Sequence, residues 1–236
     1  MTAIITQARV NSRRLPNKIF KEADGISYLQ HHIERLRKTN LQIIIATTNN
    51  GSEKPIINFC KEQNIQFFCG DELNVLQRFY ECALQFKLSH IIRVTSDCPL
   101  IDAEVIKRGL EAYKKTEIET YYSNTIKRSY PRGLDYEIFS FKALQDAYLN
   151  ATEQQDKEHV TPYINKNKSG KISVQQDAFY KDISRFRITL DTQEDETLLK
   201  MLIENYNSAH LSGEKIAEIL MKNPKLSAIN AAKEQK

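Results

Sequence analysis

The sequence predicts an α/β domain in which a parallel sheet carries helices on both faces. Short apolar runs alternate with amphipathic stretches in β-α-β-α order, the pattern of a parallel sheet closed by crossover helices. The 236 residues are enough for one large core, and neither an internal repeat nor a low-complexity linker divides them.

The first strand is residues 3–5, Ala-Ile-Ile, followed at once by a polar loop. Tyr28, Ile33 and Leu36 then recur at helical spacing, and residues 43–46 form the next buried strand. Ile56, Ile57 and Cys60 mark a second helix, residues 65–68 a third strand, and Leu73, Leu76, Phe79, Tyr80 and Leu84 a third helix. Residues 91–94 are the fourth strand, after which Asp102 can cap a helix running through Leu110 to Tyr113. From there the alternation is less regular. Residues 119–139 read as strands interrupted by Pro131 and Gly133, and 141–163 as helical. Strands are predicted at 171–175 and 186–190, then helices at 194–206 and 213–221, with a polar tail beyond Pro224 expected to be loosely held.

Composition narrows the function. Lys and Arg number 34 against 30 Asp and Glu, and a net charge of +4 does not suggest bulk nucleic-acid binding. The four cysteines contain no C-x-x-C pair, which disfavours a zinc ribbon or a thioredoxin-like motif and suggests reduced core thiols. A polar loop begins after five or six residues, and no stretch approaches the length of a membrane span, so a cytoplasmic protein is expected. The seven glycines form neither G-x-G-x-x-G nor a P-loop.

Three segments carry chemistry. Arg9, Arg13, Arg14 and Lys18 crowd the loop behind the first strand, the edge at which open α/β sheets hold ligands. Side chains there could grip a phosphate, although charge alone leaves a solvated basic loop as the simpler account. Asp97 follows the strand at 91–94, where it could bind Mg²⁺ or cap the turn before Pro99. Asp191 follows the strand predicted at 186–190, where it could be a second carboxylate or, with Thr192, a helix N-cap. His31-His32 lack metal-ligand spacing and read as surface or partly buried helix residues. Tyr121-Tyr122 reads as packing.

In sequence order, these segments resemble the CMP-sugar synthetases, cytidylyltransferases that include the Kdo and acylneuraminate enzymes, and most closely their spore-coat-polysaccharide type. The A-R-x-x-S-x-R-L-P-x-K pattern is met by Ala8, Arg9, Ser12, Arg14, Leu15, Pro16 and Lys18. Residues 95–100 are similar to the family's metal-binding G/S-D-x-P-L segment. Further likeness lies in residues 74–79, 130–137, 158–163 and 190–195. Thr6-Gln7 stands where many Kdo and acylneuraminate enzymes have Ile-Pro, and Ser96 where they often have Gly, both in keeping with the spore-coat-type branch.

The resemblance implies a Rossmann-like, three-layer α/β/α nucleotidyltransferase fold with a mostly parallel central sheet. It implies one domain over 1–236, with 119–175 as an acceptor-side and dimerisation region, and a homodimer. The implied reaction joins CTP to a sugar or sugar-like acceptor and releases pyrophosphate, with Mg²⁺ as cofactor, for surface polysaccharide synthesis. Arg9, Arg14 and Lys18 would hold the triphosphate, Asp97 and Asp191 the Mg²⁺, and Ala8 and Ser12 would shape the loop, leaving Arg13 as a bystander. Thr47, Asn74 and Arg78 would border the nucleotide. Asn124, Gly133, Asp135, Glu137 and His159 would lie near the acceptor. His159 by itself also reads as a structural histidine, and Asp135 and Glu137 as a water-facing pair. Cytidylyl transfer to a phosphate or phosphonate acceptor, and a non-catalytic nucleotide-binding assembly protein, are the alternative functions.

Overall fold

The structure, a computed structural model, describes residues 1–12 and 14–233. Each predicted strand of the first half forms; those at 3–5, 43–46 and 91–94 extend by two or three residues into flanking polar positions, and that at 65–68 shifts to 66–70. In chain order the elements are β1 (Thr2–Gln7), β2 (Glu22–Ala23), β3 (Ile26–Ser27), α1 (Tyr28–Arg37), β4 (Gln42–Thr48), α2 (Lys54–Glu62), β5 (Gln66–Gly70), α3 (Val75–Gln85), β6 (His90–Thr95) and α4 (Ala103–Tyr113). The second half adds β7 (Thr120–Ser123), β8 (Glu137–Ser140), α5 (Phe141–Asn150), α6 (Gln154–His159), α7 (Pro162–Asn165), β9 (Ser173–Gln176), α8 (Gln193–Tyr206), α9 (Gly213–Lys222) and α10 (Pro224–Ser227).

Among the described residues a seven-stranded sheet has the order β5-β4-β1-β6-β8-β7-β9. Of these strands only β8 runs against the rest, since it pairs antiparallel with both β6 and β7 while the other pairings are parallel. Alternate residues face opposite sides of a strand, and the core divides accordingly. Ile4, Ile43, Ile45, Ile92 and Val94 pack beneath α1, α2, α4, α8 and α9. Ala3, Ile5, Ile44, Ala46 and Ile91 pack beneath α3 and α5.

Three expectations are corrected. The helix expected over 141–163 is three helices: the backbone turns extended at Ala151, which ends the first, and Pro162 starts the third and disfavours helical backbone before it. At the break, buried Val160 takes φ of 70°, a conformation unusual for a β-branched residue, and Thr161 N–H donates to the His159 carbonyl. Residues 186–190 add no strand to the sheet. The segment crosses past the end of β6, with Ile188 N–H donating to the Arg132 carbonyl (2.7 Å) and Leu190 N–H to the Asp97 carbonyl (2.7 Å). The tail beyond Pro224 is pinned, at least through Asn230, by buried Leu226 and by Asn230 itself.

Candidate active site

The basic loop returns to the sheet through its apolar residues. Ala8 N–H extends the β1–β4 ladder by donating to the Ala46 carbonyl (3.1 Å), and Leu15 and Ile19 are buried. Between these anchors Arg9 and Arg14 stay exposed, while Lys18 opens a short 3₁₀ turn, Lys18–Phe20, and points inward. The hairpin β2–β3, closed by Asp24 and Gly25 with positive φ, then feeds the chain into α1.

Lys18 Nζ lies 2.8 Å from Asp97 Oδ2 and 2.8 Å from Asp191 Oδ1, so the basic loop and both predicted acids meet. Arg14 reaches Asp191 Oδ2 at 3.3 Å from the solvent side. Thr95 Oγ1 donates to Asp97 Oδ1 (2.6 Å), and Thr189 Oγ1 donates to the Asp97 carbonyl (3.0 Å). Burial alone would push the Asp97 carboxyl up, but the Lys18 ammonium and the bonds from Lys18 and Thr95 outweigh it and hold Asp97 below the usual carboxylate range. Burial disfavours the charge on Lys18, yet the two carboxylates raise its pKa above the ordinary lysine value.

Thr192 is the N-cap of α8, in a capping box with Asp195. Asp191, one residue earlier, is thereby left to face Asp97.

The residues expected to border a nucleotide are spread over three elements. Arg78 on α3 is buried and donates to the Asp71 carbonyl, while its Nε has no partner among the described residues. Burial, and then the positive charge of Arg9, depress its pKa to about 10. Asn74 caps α3, accepting from Gln77 N–H at 3.1 Å. Thr47 is fully buried, with a hydroxyl lacking a partner among the described residues. Ser12 is half-buried, and Arg13 lies outside the described residues.

The residues expected near an acceptor are mostly committed to bonds within the protein. Asn124 bridges the chain, donating to the Leu134 carbonyl (2.7 Å) and accepting from Tyr136 N–H (3.0 Å). Both Asp135 oxygens accept from Arg128. Buried Glu137 accepts from Arg93, Tyr121 Oη (2.5 Å) and Thr161 Oγ1 (2.6 Å). Gly133 has φ of 106°, and a Cβ there would fall 2.6 Å from the Ile188 carbonyl oxygen. His159 is exposed.

His32 has a role that the sequence reading missed. It is fully buried, with Nδ1 2.8 Å from the Cys98 carbonyl and Nε2 2.9 Å from Thr6 Oγ1. It therefore ties α1 and β1 to the turn that presents Asp97. Its place three residues after Leu29 and four before Leu36, on the buried stripe of α1, was the available signal.

Magnesium prefers oxygen ligands and is commonly held by one or two carboxylates together with substrate phosphate oxygens. Asp97 and Asp191, brought onto one ammonium, are such a donor pair. Among the described residues no group of three or more His, Cys, Asp or Glu is arranged around a metal position. The two carboxylates fit an ion whose remaining ligands are substrate phosphate oxygens and water.

A mostly parallel α/β sheet that gathers two carboxylates and a basic loop at one edge suits a nucleotidyltransferase, and the family match gives that class. Residues 3–229 match the cytidylyltransferase family, and the chain belongs to that family. It is 33% identical over 235 residues to an uncharacterised protein of Methanocaldococcus jannaschii, covering 98% of this chain and 95% of that one. It is 30% identical over 234 residues to the spore coat polysaccharide biosynthesis protein SpsF of Bacillus subtilis, covering 93% and 94%. The solved structure of a cytidylyltransferase from Leptospira borgpetersenii superposes with a TM-score of 0.90 at 28% identity, covering 100% of this chain and 98% of that one.

Proposed function

We propose that this cytidylyltransferase transfers CMP from CTP to a sugar or sugar-like hydroxyl acceptor, releasing pyrophosphate, in the synthesis of a surface polysaccharide. The observation that carries the reading is the junction of Lys18, Asp97 and Asp191, with Arg14 at its mouth. The repulsion that the Arg9 charge exerts on buried Arg78 supports it, because a bound polyanion would relieve it. Similarity to SpsF, named for spore coat polysaccharide biosynthesis, supports the glycan role.

In this scheme an acceptor oxygen attacks the α-phosphorus in line, and the bond to the departing pyrophosphate breaks. Arg9, Arg14 and Lys18 hold the triphosphate and stabilise negative charge on the leaving group. Asp97 and Asp191 hold Mg²⁺, which when bound supplies Lewis-acid polarisation of phosphoryl oxygens. His32 keeps the Asp97 turn in place. Ala8, Ser12, Thr47 and Asn74 line or support the nucleotide side. On the acceptor side His159 is exposed and Gly133 is buried against the Ile188 carbonyl, while Asn124, Asp135 and Glu137 act by shaping the wall. A homodimer with residues 119–175 at its interface belongs to the same reading and is checked by light scattering.

Pyrophosphate release from each of the four nucleoside triphosphates, screened against neutral sugars, acidic sugars and sugar phosphates, tests the function. We expect turnover with CTP and a hydroxyl acceptor, and a phosphomonoester-linked product in the phosphorus spectrum. A diphosphate or phosphonate linkage would replace the hydroxyl acceptor with a phosphorus one. Asp97→Asn and Asp191→Asn should each abolish turnover while CTP binding partly survives; wild-type turnover in both would overturn the carboxylate assignment.

A further inference from the structure

Behind Asp191 lies a buried charge cluster that the reaction scheme does not use. Asp195 is fully buried and accepts five hydrogen bonds. Its Oδ1 takes Arg187 Nε and Asn230 Nδ2, both at 2.8 Å. Its Oδ2 takes Arg187 Nη2 at 2.9 Å and the backbone N–H groups of Asp191 and Thr192, both at 3.0 Å. Burial opposes the charge of Asp195, but the bonds from Arg187 and Asn230 outweigh it and hold its pKa below the usual carboxylate range.

The cluster does two things for Asp191. Arg187 is fixed on Asp195 by two bonds, and the same Nη2 also donates to Asp191 Oδ2 at 3.0 Å. That bond turns Asp191 Oδ1 toward Lys18 and Asp97. The second effect is on charge, because Asp195 balances most of the charge of Arg187 and leaves Asp191 its own for the site.

Asn230 completes the arrangement from a segment beyond the last helix, 35 residues away in sequence. It is buried, and its amide donates both to Asp195 Oδ1 and to the Arg187 carbonyl (3.0 Å). It thus braces the side chain of one partner and the backbone of the other.

We propose that Asn230 is a positioning residue of the active centre, acting through Asp195 and Arg187 to fix which oxygen of Asp191 faces Asp97, and so setting the affinity for the divalent cation. The proposal rests on the metal role given to Asp191 above. Partners that orient a ligating carboxylate change metal affinity by about 10–100-fold, and Asn230 acts through intermediates, so the lower end is expected.

The test is direct Mn²⁺ binding, followed by the electron paramagnetic resonance of free Mn²⁺ in the presence of a non-hydrolysable CTP analogue, with Tm measured on the same samples. Asn230→Ala should raise the Mn²⁺ Kd about 10-fold, and Asn230→Ser, which keeps one donor, should fall between it and wild type. Leu226→Ala loosens the helix that precedes Asn230 without removing a partner of Asp195 or Arg187, and should lower Tm while leaving the Mn²⁺ Kd unchanged. An unchanged Kd in Asn230→Ala, or an equal rise in Leu226→Ala, would overturn the proposal. Asp191→Asn separates the two readings. If it leaves Mn²⁺ binding intact, the metal site itself is misassigned and the proposal falls with it. If it abolishes binding and Asn230→Ala does not shift it, only the positioning role fails.

Discussion

Lys18→Met tests the electrostatics of the site without any substrate. In the wild type one ammonium serves two carboxylates at 2.8 Å each. Removal leaves Asp191 with Arg187 at 3.0 Å and Arg14 at 3.3 Å, whereas Asp97 keeps neutral donors, the Thr95 hydroxyl at 2.6 Å, the Cys98 thiol at 3.7 Å and a bond from its own backbone. Breaking a buried pair by removing one partner costs about 3–5 kcal/mol. Because Asp191 retains its guanidiniums, about 3 kcal/mol is expected at pH 7, measured by urea denaturation. The pH dependence distinguishes this from a packing defect. Wild-type Asp97 has a depressed folded pKa, so its contribution is present above the unfolded value and is lost as pH falls through the folded one. Without Lys18 the folded pKa of Asp97 rises above the unfolded value of about 3.9. The variant then gains stability relative to wild type as pH falls, by up to about 1.4 kcal/mol per pH unit down to about pH 4. A stability difference that stays constant from pH 7 to 4.5, or one below about 1 kcal/mol at pH 7, would refute this account.

Two further outcomes are expected. Burial lowers the folded pKa of His32 to about 4, against the smaller opposing effect of its bond to the Cys98 carbonyl. Its stabilisation is therefore full above the unfolded value of about 6.5 and lost as pH falls toward 4, a loss of order 3 kcal/mol. His32→Asn, which lacks the titrating proton, should flatten the wild-type stability profile between pH 6.5 and 4.5 in urea titrations, and an unchanged slope would refute the assignment. Gly133→Ala combines backbone strain at φ of 106° with a Cβ placed 2.6 Å from the Ile188 carbonyl oxygen. Strain of this kind costs about 1–3 kcal/mol and overpacking a similar amount, so Tm should fall and the 187–191 segment should lose hydrogen-exchange protection; a wild-type Tm would show that the backbone yields without cost.

How much of this could be read in the sequence depended on whether the interactions were local. The strands of the first half announce themselves because they are buried on both faces and so are continuous apolar runs, as in Ile43-Ile44-Ile45. The acid at 97 stands out because it follows such a strand, and the acid at 191 because it follows a segment with buried apolar residues at 186, 188 and 190. Residues 186–190 misled because Phe186, Ile188 and Leu190 are buried as a strand's would be, yet the backbone bonds go to Arg132 and Asp97. Apolar content reports burial and leaves the hydrogen-bond partner open. Asn230 gave no signal, because its two acceptors, the Arg187 carbonyl and the Asp195 carboxylate, are distant in sequence. Asn124 and Glu137 were legible as polar residues near a site, but their internal bonds were not.

The basic loop was ambiguous between a solvated loop and a phosphate grip, and the structure divides the two roles among its residues. Arg9 and Arg14 are exposed, while Lys18 has its ammonium on two acids that no longer have free access to water. Those acids need a cation for the fold to tolerate them. It follows that Lys18 contributes to stability as well as to the proposed chemistry, and that loss of activity in a Lys18 variant does not by itself identify a phosphate contact. Arg14 separates the two effects. Its side chain is 44% exposed and meets Asp191 at 3.3 Å, so Arg14→Ala should change Tm little, as exposed pairs contribute only about 0–1 kcal/mol. If Arg14 holds the triphosphate, the same variant should weaken CTP binding in calorimetry by about 10-fold, the effect of roughly 1.4 kcal/mol from one charge-assisted contact. Unchanged CTP affinity in a fully folded Arg14→Ala would leave the loop with a structural role alone.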